Sequence, residues 1–397
     1  MSETLAWQQA SAPIDSPAVY QTLLGQSEAV HQVQKAVAQR AQGVHHAWLF
    51  TGPPGSGRSN LALAFAAALL CPEQGCATCG ICSRVLEHQH PDVKMLTTEK
   101  VIIGIDEIRD LVAGSHFGAS MGDYRILIIE DADRMAERSS NVLLKALEEP
   151  PAGTIWLLCA PSEADLLPTI RSRVRRVSLK VPSVEDVAQL LVQRDGVDPH
   201  LARQAAAEAQ SHVGMARRLA TSLEARGRRR DTLVAALSIS SVSSAMFTAE
   251  RWLDLAKKDA DAITAERDSQ EKLELRRQVG LAEAESIPNA YRVEFKNLEE
   301  DQKRRSTRSI RDGIDRILVD LLALYRDVLT VQLQTQSSLV NEDLKVQIDE
   351  LAAEISAAET IKRLEAIEIA RTRVLSNVKD LVALEALAVQ LRRKTIR

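Results

Sequence analysis

The sequence predicts an α/β domain, a parallel sheet flanked by helices, that carries a small metal-binding module and gives way to all-helical domains. Three observations support this. From about Tyr20 to Lys180, short β-branched runs alternate with Ala/Leu-rich runs, the texture of βα units. A glycine-rich octapeptide separates the first such run from a helical one, and four cysteines crowd into the 12 residues from Cys71 to Cys82. Beyond residue 180 the β-branched runs stop, and apolar residues recur at helical spacing instead.

The expected strands are Ala47-Trp48-Leu49-Phe50, Arg125-Ile126-Leu127-Ile128-Ile129, Ile155-Trp156-Leu157-Leu158-Cys159 and Val174-Arg175-Arg176-Val177. From Pro182 to about Ala235 the chain reads as helical, starting at Ser183-Val184-Glu185-Asp186, which has the form of a helix N-cap. Arg251 to Asp312 holds 28 charged residues in 62, 14 of each sign. That stretch reads as a long solvated helical hairpin, with partial disorder as the alternative. Ile314, Ile317, Leu318, Leu321, Leu322, Tyr325, Val328 and Leu329 then form one apolar stripe of a bundle helix. The expected divisions are an N-terminal extension at 1–19, the α/β domain at 20–180 with its cysteine module at 71–82, a small helical domain at 181–237, and a larger helical domain at 238–397 containing the charged insertion at about 251–312.

Composition excludes several functions. Thirteen aromatics in 397 residues leave little material for base-stacking platforms. The balance of 50 Lys+Arg against 54 Asp+Glu argues against gripping nucleic acid by bulk basicity. The longest apolar run, the 11 residues from Leu61 to Cys71, is shorter than the roughly 20 needed to cross a bilayer. Met1-Ser2-Glu3-Thr4-Leu5-Ala6 shows no basic-then-apolar leader. A cytoplasmic, reducing setting is expected, where clustered cysteines favour metal over disulfides.

Gly52-Pro53-Pro54-Gly55-Ser56-Gly57-Arg58-Ser59 follows a strand and precedes a helix, the context that makes a phosphate loop credible. Its glycines turn backbone N–H groups toward a phosphate, and the helix N-terminus adds partial positive charge. Ser59 stands where a hydroxyl would ligate Mg²⁺. Arg58 occupies the usual lysine position and binds phosphate as a planar fork rather than a compact point charge. The other reading is a tight strand-to-helix turn without a ligand. The strand Ile126–Ile129 ends in Glu130-Asp131, the reverse of the usual Asp-Glu pair, so each carboxylate is displaced by one methylene from its hydrolytic role. Acidic residues closing a strand at a solvent edge are the alternative.

Cys71, Cys76, Cys79 and Cys82, spaced C-x4-C-x2-C-x2-C, suit a closed tetrahedral Zn²⁺ site, with Gly75 and Gly80 expected to supply the turns between ligands. Four thiolates leave no open position, so the metal is structural. His88 and His90 come after the closed set, and Cys159, alone in an apolar strand, reads as a core residue.

These elements in this order resemble the bacterial clamp-loader branch of the AAA+ ATPases. The resemblance rests on the cysteine module placed directly after the phosphate-loop helix, on His90-Pro91-Asp92, on Asn141-Val142-Leu143-Leu144-Lys145-Ala146-Leu147-Glu148-Glu149-Pro150-Pro151 and on Thr169-Ile170-Arg171-Ser172-Arg173, and it covers about residues 20 to 235. Within the family it sides with the delta-prime branch rather than the ATP-hydrolysing gamma or tau motors. The motor's lysine, Asp-Glu pair and sensor threonine are replaced by Arg58, by Glu130-Asp131 and by Cys159-Ala160-Pro161. Asn377 to Leu387 is similar to the branch's final collar helix, while the four-residue first cysteine loop and the charged insertion depart from the family pattern.

The resemblance implies an AAA+ P-loop domain with a zinc knuckle, a helical lid and a helical collar, in a component of the DNA polymerase III clamp loader that helps load the sliding clamp onto primed DNA. It implies Arg173 as an arginine finger given in trans to a neighbouring motor subunit, worth about 10³ to 10⁵ in rate in such systems. Arg217, in Gly214-Met215-Ala216-Arg217-Arg218, matches the second sensor. The implied ligands are structural zinc and, at a degenerate site without catalysis of its own (Gly52, Gly55, Gly57, Arg58, Ser59, Glu130, Asp131), ATP and Mg²⁺. The implied partners are gamma/tau and delta subunits, the sliding clamp and, indirectly, primed DNA in the cytoplasmic, nucleoid-associated replisome, with no membrane. The competing readings are an ATP-hydrolysing motor using Arg58 and Asp131, and a zinc-containing interaction module outside replication.

Overall fold

The computed structural model describes residues 17–98, 102–282, 285–376 and 378–393. Most of the extension expected over 1–19, including Met1 to Ala6, lies outside the described residues, as does Asn377. The chain divides into two compact units, Met1–Thr221 and Ser222–Arg397.

In the first unit five strands, β1 Ala47–Thr51, β2 Val93–Leu96, β3 Arg125–Ile129, β4 Thr154–Ala160 and β5 Arg175–Ser178, form one sheet in the order β2-β3-β4-β1-β5. Every neighbouring pair is parallel. Helices α1 Ser27–Ala38, α2 Arg58–Leu70, α3 Gly80–Leu86, α4 Ile105–Ser115, α5 Glu137–Glu148 and α6 Pro168–Arg171 alternate with the strands, and α7 Val184–Asp195, α8 Pro199–Glu208 and α9 Val213–Thr221 follow. A parallel sheet needs both faces covered, and alternate strand residues supply the two cores. Trp48, Phe50, Ile128, Ile155 and Leu157 pack with α1 and α2, while Leu49, Leu127, Ile129, Trp156 and Leu158 pack with α4 and α5. The long apolar run of the sequence is α2, buried from Leu61 through Leu69, as expected for a helix apolar on all sides. The architecture is the parallel α/β P-loop domain expected.

Two strand expectations need correction. β5 starts at Arg175 rather than Val174. The edge strand β2 was not anticipated, because Val93-Lys94-Met95-Leu96 carries a single β-branched residue and is only partly buried. The start of α7 follows expectation. Ser183 Oγ accepts the Asp186 N–H at 3.0 Å, and the Asp186 carboxylate accepts the Ser183 N–H at 3.1 Å, a reciprocal cap.

The second unit is all helical: α10 Leu223–Leu237, α11 Val242–Gln278, α12 Arg292–Gln332, α13 Lys345–Glu354, α14 Ala357–Leu375 and α15 Asp380–Leu391. Leu233, Ala236 and Leu237 of α10, expected as the end of the small helical domain, belong to the core of this second unit. Ile314, Ile317, Leu318, Leu321, Tyr325 and Val328 line the same core, with Leu322 half-buried against it; Leu329 is also half-buried. The charged stretch forms the two arms of α11 and α12, joined inside by Arg305, which contacts Asp268 at 2.5 Å and Glu271 at 2.9 Å.

Asp92, in the motif before β2, is fully buried and fastens the loop ahead of β3. Its carboxylate accepts the N–H groups of Ser120 at 2.6 Å, Met121 at 2.8 Å and Gly122 at 3.1 Å, and the Ser120 hydroxyl at 2.7 Å. Burial opposes its ionisation, but these donors outweigh burial and hold its pKa below the 3.8 of a free aspartate. A depressed carboxylate pKa gives stabilisation that is complete above about pH 5 and is lost as pH falls through the lowered value. Asp92→Asn should therefore cost the first unit about 3 kcal/mol at pH 7. Denaturant melts of both proteins should converge as the pH falls below the ordinary carboxylate range; equal stability at pH 7 would contradict the role.

Candidate functional site

β1 ends at Thr51 and α2 begins at Arg58, so the glycine loop stands at the carboxyl edge of the sheet with the α2 N–H groups facing outward. A cavity of about 450 Å³ opens there, walled by Leu23 and Leu24, the loop from Gly55 to Asn60, Glu130, and Val187, Arg194, His212 and Arg217. Gly55 is required by contact as well as conformation: at φ +80° a Cβ would stand 2.5 Å from Cγ of the His212 ring. The buried Gln26 amide ties the loop to the segment entering α7. Its nitrogen donates to Lys180 O at 2.8 Å and to Ser56 O at 3.4 Å, and its oxygen accepts the Lys180 N–H at 3.0 Å.

Several polar side chains at the pocket are paired with one another. Ser59 Oγ donates to Glu130 Oε1 at 2.5 Å. Arg58 Nη2 lies 3.8 Å from Asp131 Oδ1, and the other Asp131 oxygen lies 3.5 Å from Arg134 Nε. Asp131 takes a left-handed backbone at φ +51°, which aspartate tolerates better than most residues and which gives its shorter side chain this direction. Arg58 Nη1 is buried without a hydrogen-bond partner. Burial, with Asp131 next, raises the Asp133 pKa. The Cys159 thiol is a core group, as expected, yet its neighbours are Arg58, Glu130, Asp131 and Ser59; burial pushes its pKa up. Behind the opposite wall Asp195 holds both of its arginines, accepting from Arg194 at 2.7 Å and from Arg217 at 3.0 Å. Hydrogen bonding to Arg194 is the main cause of its lowered pKa.

Arg173 lies just after α6 and is about one-third exposed, with Nη2 2.7 Å from Glu148 Oε1. Nη1 donates to Thr169 O at 2.8 Å and to Ser172 Oγ at 3.1 Å.

The four cysteines converge. Cys71 Sγ lies 3.8 Å from the sulfurs of both Cys76 and Cys79, and all four sulfurs lie within 4.8 Å of one another. A tetrahedron with zinc about 2.3 Å from each sulfur has edges of about 3.8 Å, so this donor set fits Zn²⁺. The N–H of Cys79 points at Cys76 Sγ and that of Cys82 at Cys79 Sγ, each at 3.4 Å. Cys76 is held down to a pKa of about 6, chiefly by hydrogen bonding to Thr78. Burial opposes ionisation of Cys71, but the N–H groups of Cys76, Gly75 and Glu73 bring its pKa down. Gly75, at φ +108°, makes a turn as expected. Gly80 does not: it opens α3, and the left-handed positions fall at Gln74 and Ala77 instead, because Cys79 caps that helix with its own sulfur.

With this geometry in hand, a family model described as DNA polymerase III, delta subunit, matches residues 25–183. The DNA polymerase III subunit delta' of Haemophilus influenzae is 35% identical over 158 residues, covering 39% of this chain and 48% of the relative. The subunit delta' of Bacillus subtilis is 25% identical over 351 residues, covering 87% of this chain and 90% of the relative. The subunit tau of the same organism is 31% identical over 168 residues, 41% of this chain and 29% of the relative. Over residues 25–183 the chain is similar to subunits of DNA polymerase III, chiefly those named delta'. The chain spans about half the length of the first delta' relatives it matches, 48% and 45%.

Within the first unit the structure brings Gly55, Gly57, Arg58, Ser59, Glu130 and Arg217 to one cavity, with Asp131 paired to Arg58 behind it and Gly52 at the base of the loop. Arg173 does not line that cavity. Gln26, Arg194, Asp195 and His212 were missed. The first precedes α1, Arg194 and Asp195 end α7 and His212 lies between α8 and α9, and nothing in their local spacing marks them. Among the described residues no helix is long and apolar enough to cross a membrane.

The purified chain should carry one zinc, and Cys76→Ser should release it and destabilise the first unit by about 3 kcal/mol or more. Elemental analysis finding no zinc in the wild-type chain would end the assignment.

Proposed function

We propose that this chain is the delta'-like subunit of a DNA polymerase III clamp loader, a cytoplasmic, non-hydrolysing member of the ring that helps load the sliding clamp onto primed DNA. It lends Arg173 to the ATP of a neighbouring gamma/tau motor, with delta as a further partner. The observation that carries the non-hydrolysing reading is the mutual pairing of Ser59 with Glu130 and of Arg58 with Asp131. Glu130, one methylene longer than aspartate, reaches the Ser59 hydroxyl directly and takes the proton-donating side of the group that would face Mg²⁺. Asp131, one methylene shorter than glutamate, is turned between two guanidiniums, so its carboxylate is engaged by them rather than free to orient an attacking water.

The cavity supports a second, compatible reading, nucleotide held without turnover. Arg58 Nη1 lacks an acceptor, and a phosphate oxygen is the acceptor a buried guanidinium takes most readily. Arg194 and Arg217 would face the same anion from the lid, with Asp195 holding them in place. Zinc, when bound, supplies folding energy rather than reactivity.

For Arg173 the resting contact is a partly exposed ion pair, worth at most about 1 kcal/mol. Exchanging the Glu148 carboxylate for a neighbour's phosphate therefore meets little resistance, and a guanidinium supplied in trans stabilises charge on the transferring phosphoryl group. Exposed Val346, Ile361, Ile369 and Val382 on helices of the second unit support a role for those helices in assembly.

Arg173→Ala should leave ring assembly intact and lower the DNA-stimulated ATPase of the reconstituted complex by about tenfold or more; unchanged turnover would remove the finger role. The purified chain alone should show no ATP turnover above background. Sustained hydrolysis abolished by Ser59→Ala would instead make it a motor.

A further inference from the structure

α2 opens in the glycine loop at Arg58 and closes on Cys71, the first of the four clustered cysteines, which is its C-terminal cap. The last carbonyls of a helix have no partner within it and gather partial negative charge. A lysine or arginine in the last turn commonly meets them, but α2 has no basic residue there. It is buried and apolar from Leu61 through Leu69, so the cation has to come from another element.

Arg40 supplies it. This residue opens the short 3-10 turn Arg40–Gln42 that follows α1. Its Nη1 donates to Cys71 O at 2.8 Å and to Ala68 O at 3.4 Å, and its Nη2 donates to Pro72 O at 3.2 Å. One guanidinium thus spans the final turn of α2 and the first step of the cysteine module. All of these acceptors are uncharged carbonyls, so they leave its positive charge uncompensated. The turn is fixed by contacts of its own, because Arg40 O accepts the Tyr124 hydroxyl at 3.2 Å and the Gly43 N–H at 3.1 Å.

That charge has a use once metal binds. Zn²⁺ neutralises only half the charge of four thiolates, so the loaded module is anionic, and it sits at the negative end of α2. Arg84, the one basic residue between Cys71 and Glu87, donates to Gly80 O of its own helix at 3.0 Å. We propose that Arg40 is a positioning residue of the metal site. It holds the backbone of Cys71 and supplies the positive charge that lets an anionic zinc–thiolate cluster form against a helix C-terminus. The inference rests on the four sulfurs holding zinc, and it goes beyond that by giving the connection between α1 and β1 a part in metal binding.

The test uses the full chain and zinc ions, with affinity read by competition against a chromophoric chelator. Arg40→Gln keeps N–H donors and removes the charge. Loss of a group that supports a metal ligand lowers affinity by about 10- to 100-fold, and a fall of that size is expected. Arg40→Lys restores the charge without the planar fork and should recover part of it. Tyr124→Phe, which loosens the same turn without touching the guanidinium, should bind zinc as the wild type does. Wild-type affinity in Arg40→Gln would overturn the proposal. So would Arg40→Lys binding no better than Arg40→Gln, or an equal loss in Tyr124→Phe, since either means packing alone. Should Arg40→Gln not fold, proton exchange in the wild-type chain decides. The Arg40 guanidinium protons should be protected with zinc bound and lose protection when a chelator removes it, and protection indifferent to zinc would overturn the proposal. A wild-type chain that binds no zinc would overturn the metal assignment and this inference together, whereas the other failures, in a zinc-loaded wild type, overturn this inference alone.

Discussion

A sheet buried on both faces has nowhere to put polar chemistry except at the ends of its strands. β1 and β4 are buried along their whole lengths, so each strand that reaches the carboxyl edge delivers its functional residues there: the glycine loop after β1, Glu130 and Asp131 after β3, and Cys159 near the end of β4. The segment leaving β5 reaches the same edge and turns into α7, where the Gln26 amide fastens it. The position of the cavity, and which residues can meet in it, follows from that one constraint.

Having gathered these groups, the fold satisfies most of them internally. Four side chains at the cavity form two pairs, and Arg194 of α7 and Arg217 of α9 share Asp195. Charge-assisted contacts in a low-dielectric setting are strong and resist rearrangement. The four-cysteine cluster shows the same economy, since backbone N–H groups already point at its sulfurs.

Much of this was legible in the sequence because it depends on local pattern. Strands in the sheet centre announce themselves as β-branched runs, the phosphate loop by its glycines, and the four sulfurs by their spacing. What escaped depends on distant partners. β2 is an edge strand held by its neighbour rather than by its own composition, and Gly80 looked like a turn residue until Cys79 was seen capping α3. Gln26, His212 and Glu148 acquire their places through contacts with residues remote in the chain, such as the 154-position separation between Gln26 and Lys180. The reversal of Glu130 and Asp131 was readable. That it would leave Arg58 paired with Asp131 was not, because that outcome turns on one backbone angle.

The α11–α12 hairpin is made of two different materials. Near its base Trp252, Ala256, Ile314 and Leu318 join the apolar core, whereas farther out Arg305 with Asp268 and Glu271, together with Phe295, hold the arms together. Ion pairs and scattered contacts protect backbone amides far less than a packed core does. The distal arms should therefore open as a separate, low-energy cooperative segment, exchanging their amide hydrogens well before the base does. The long helices are in this sense continuous in shape but not in stability.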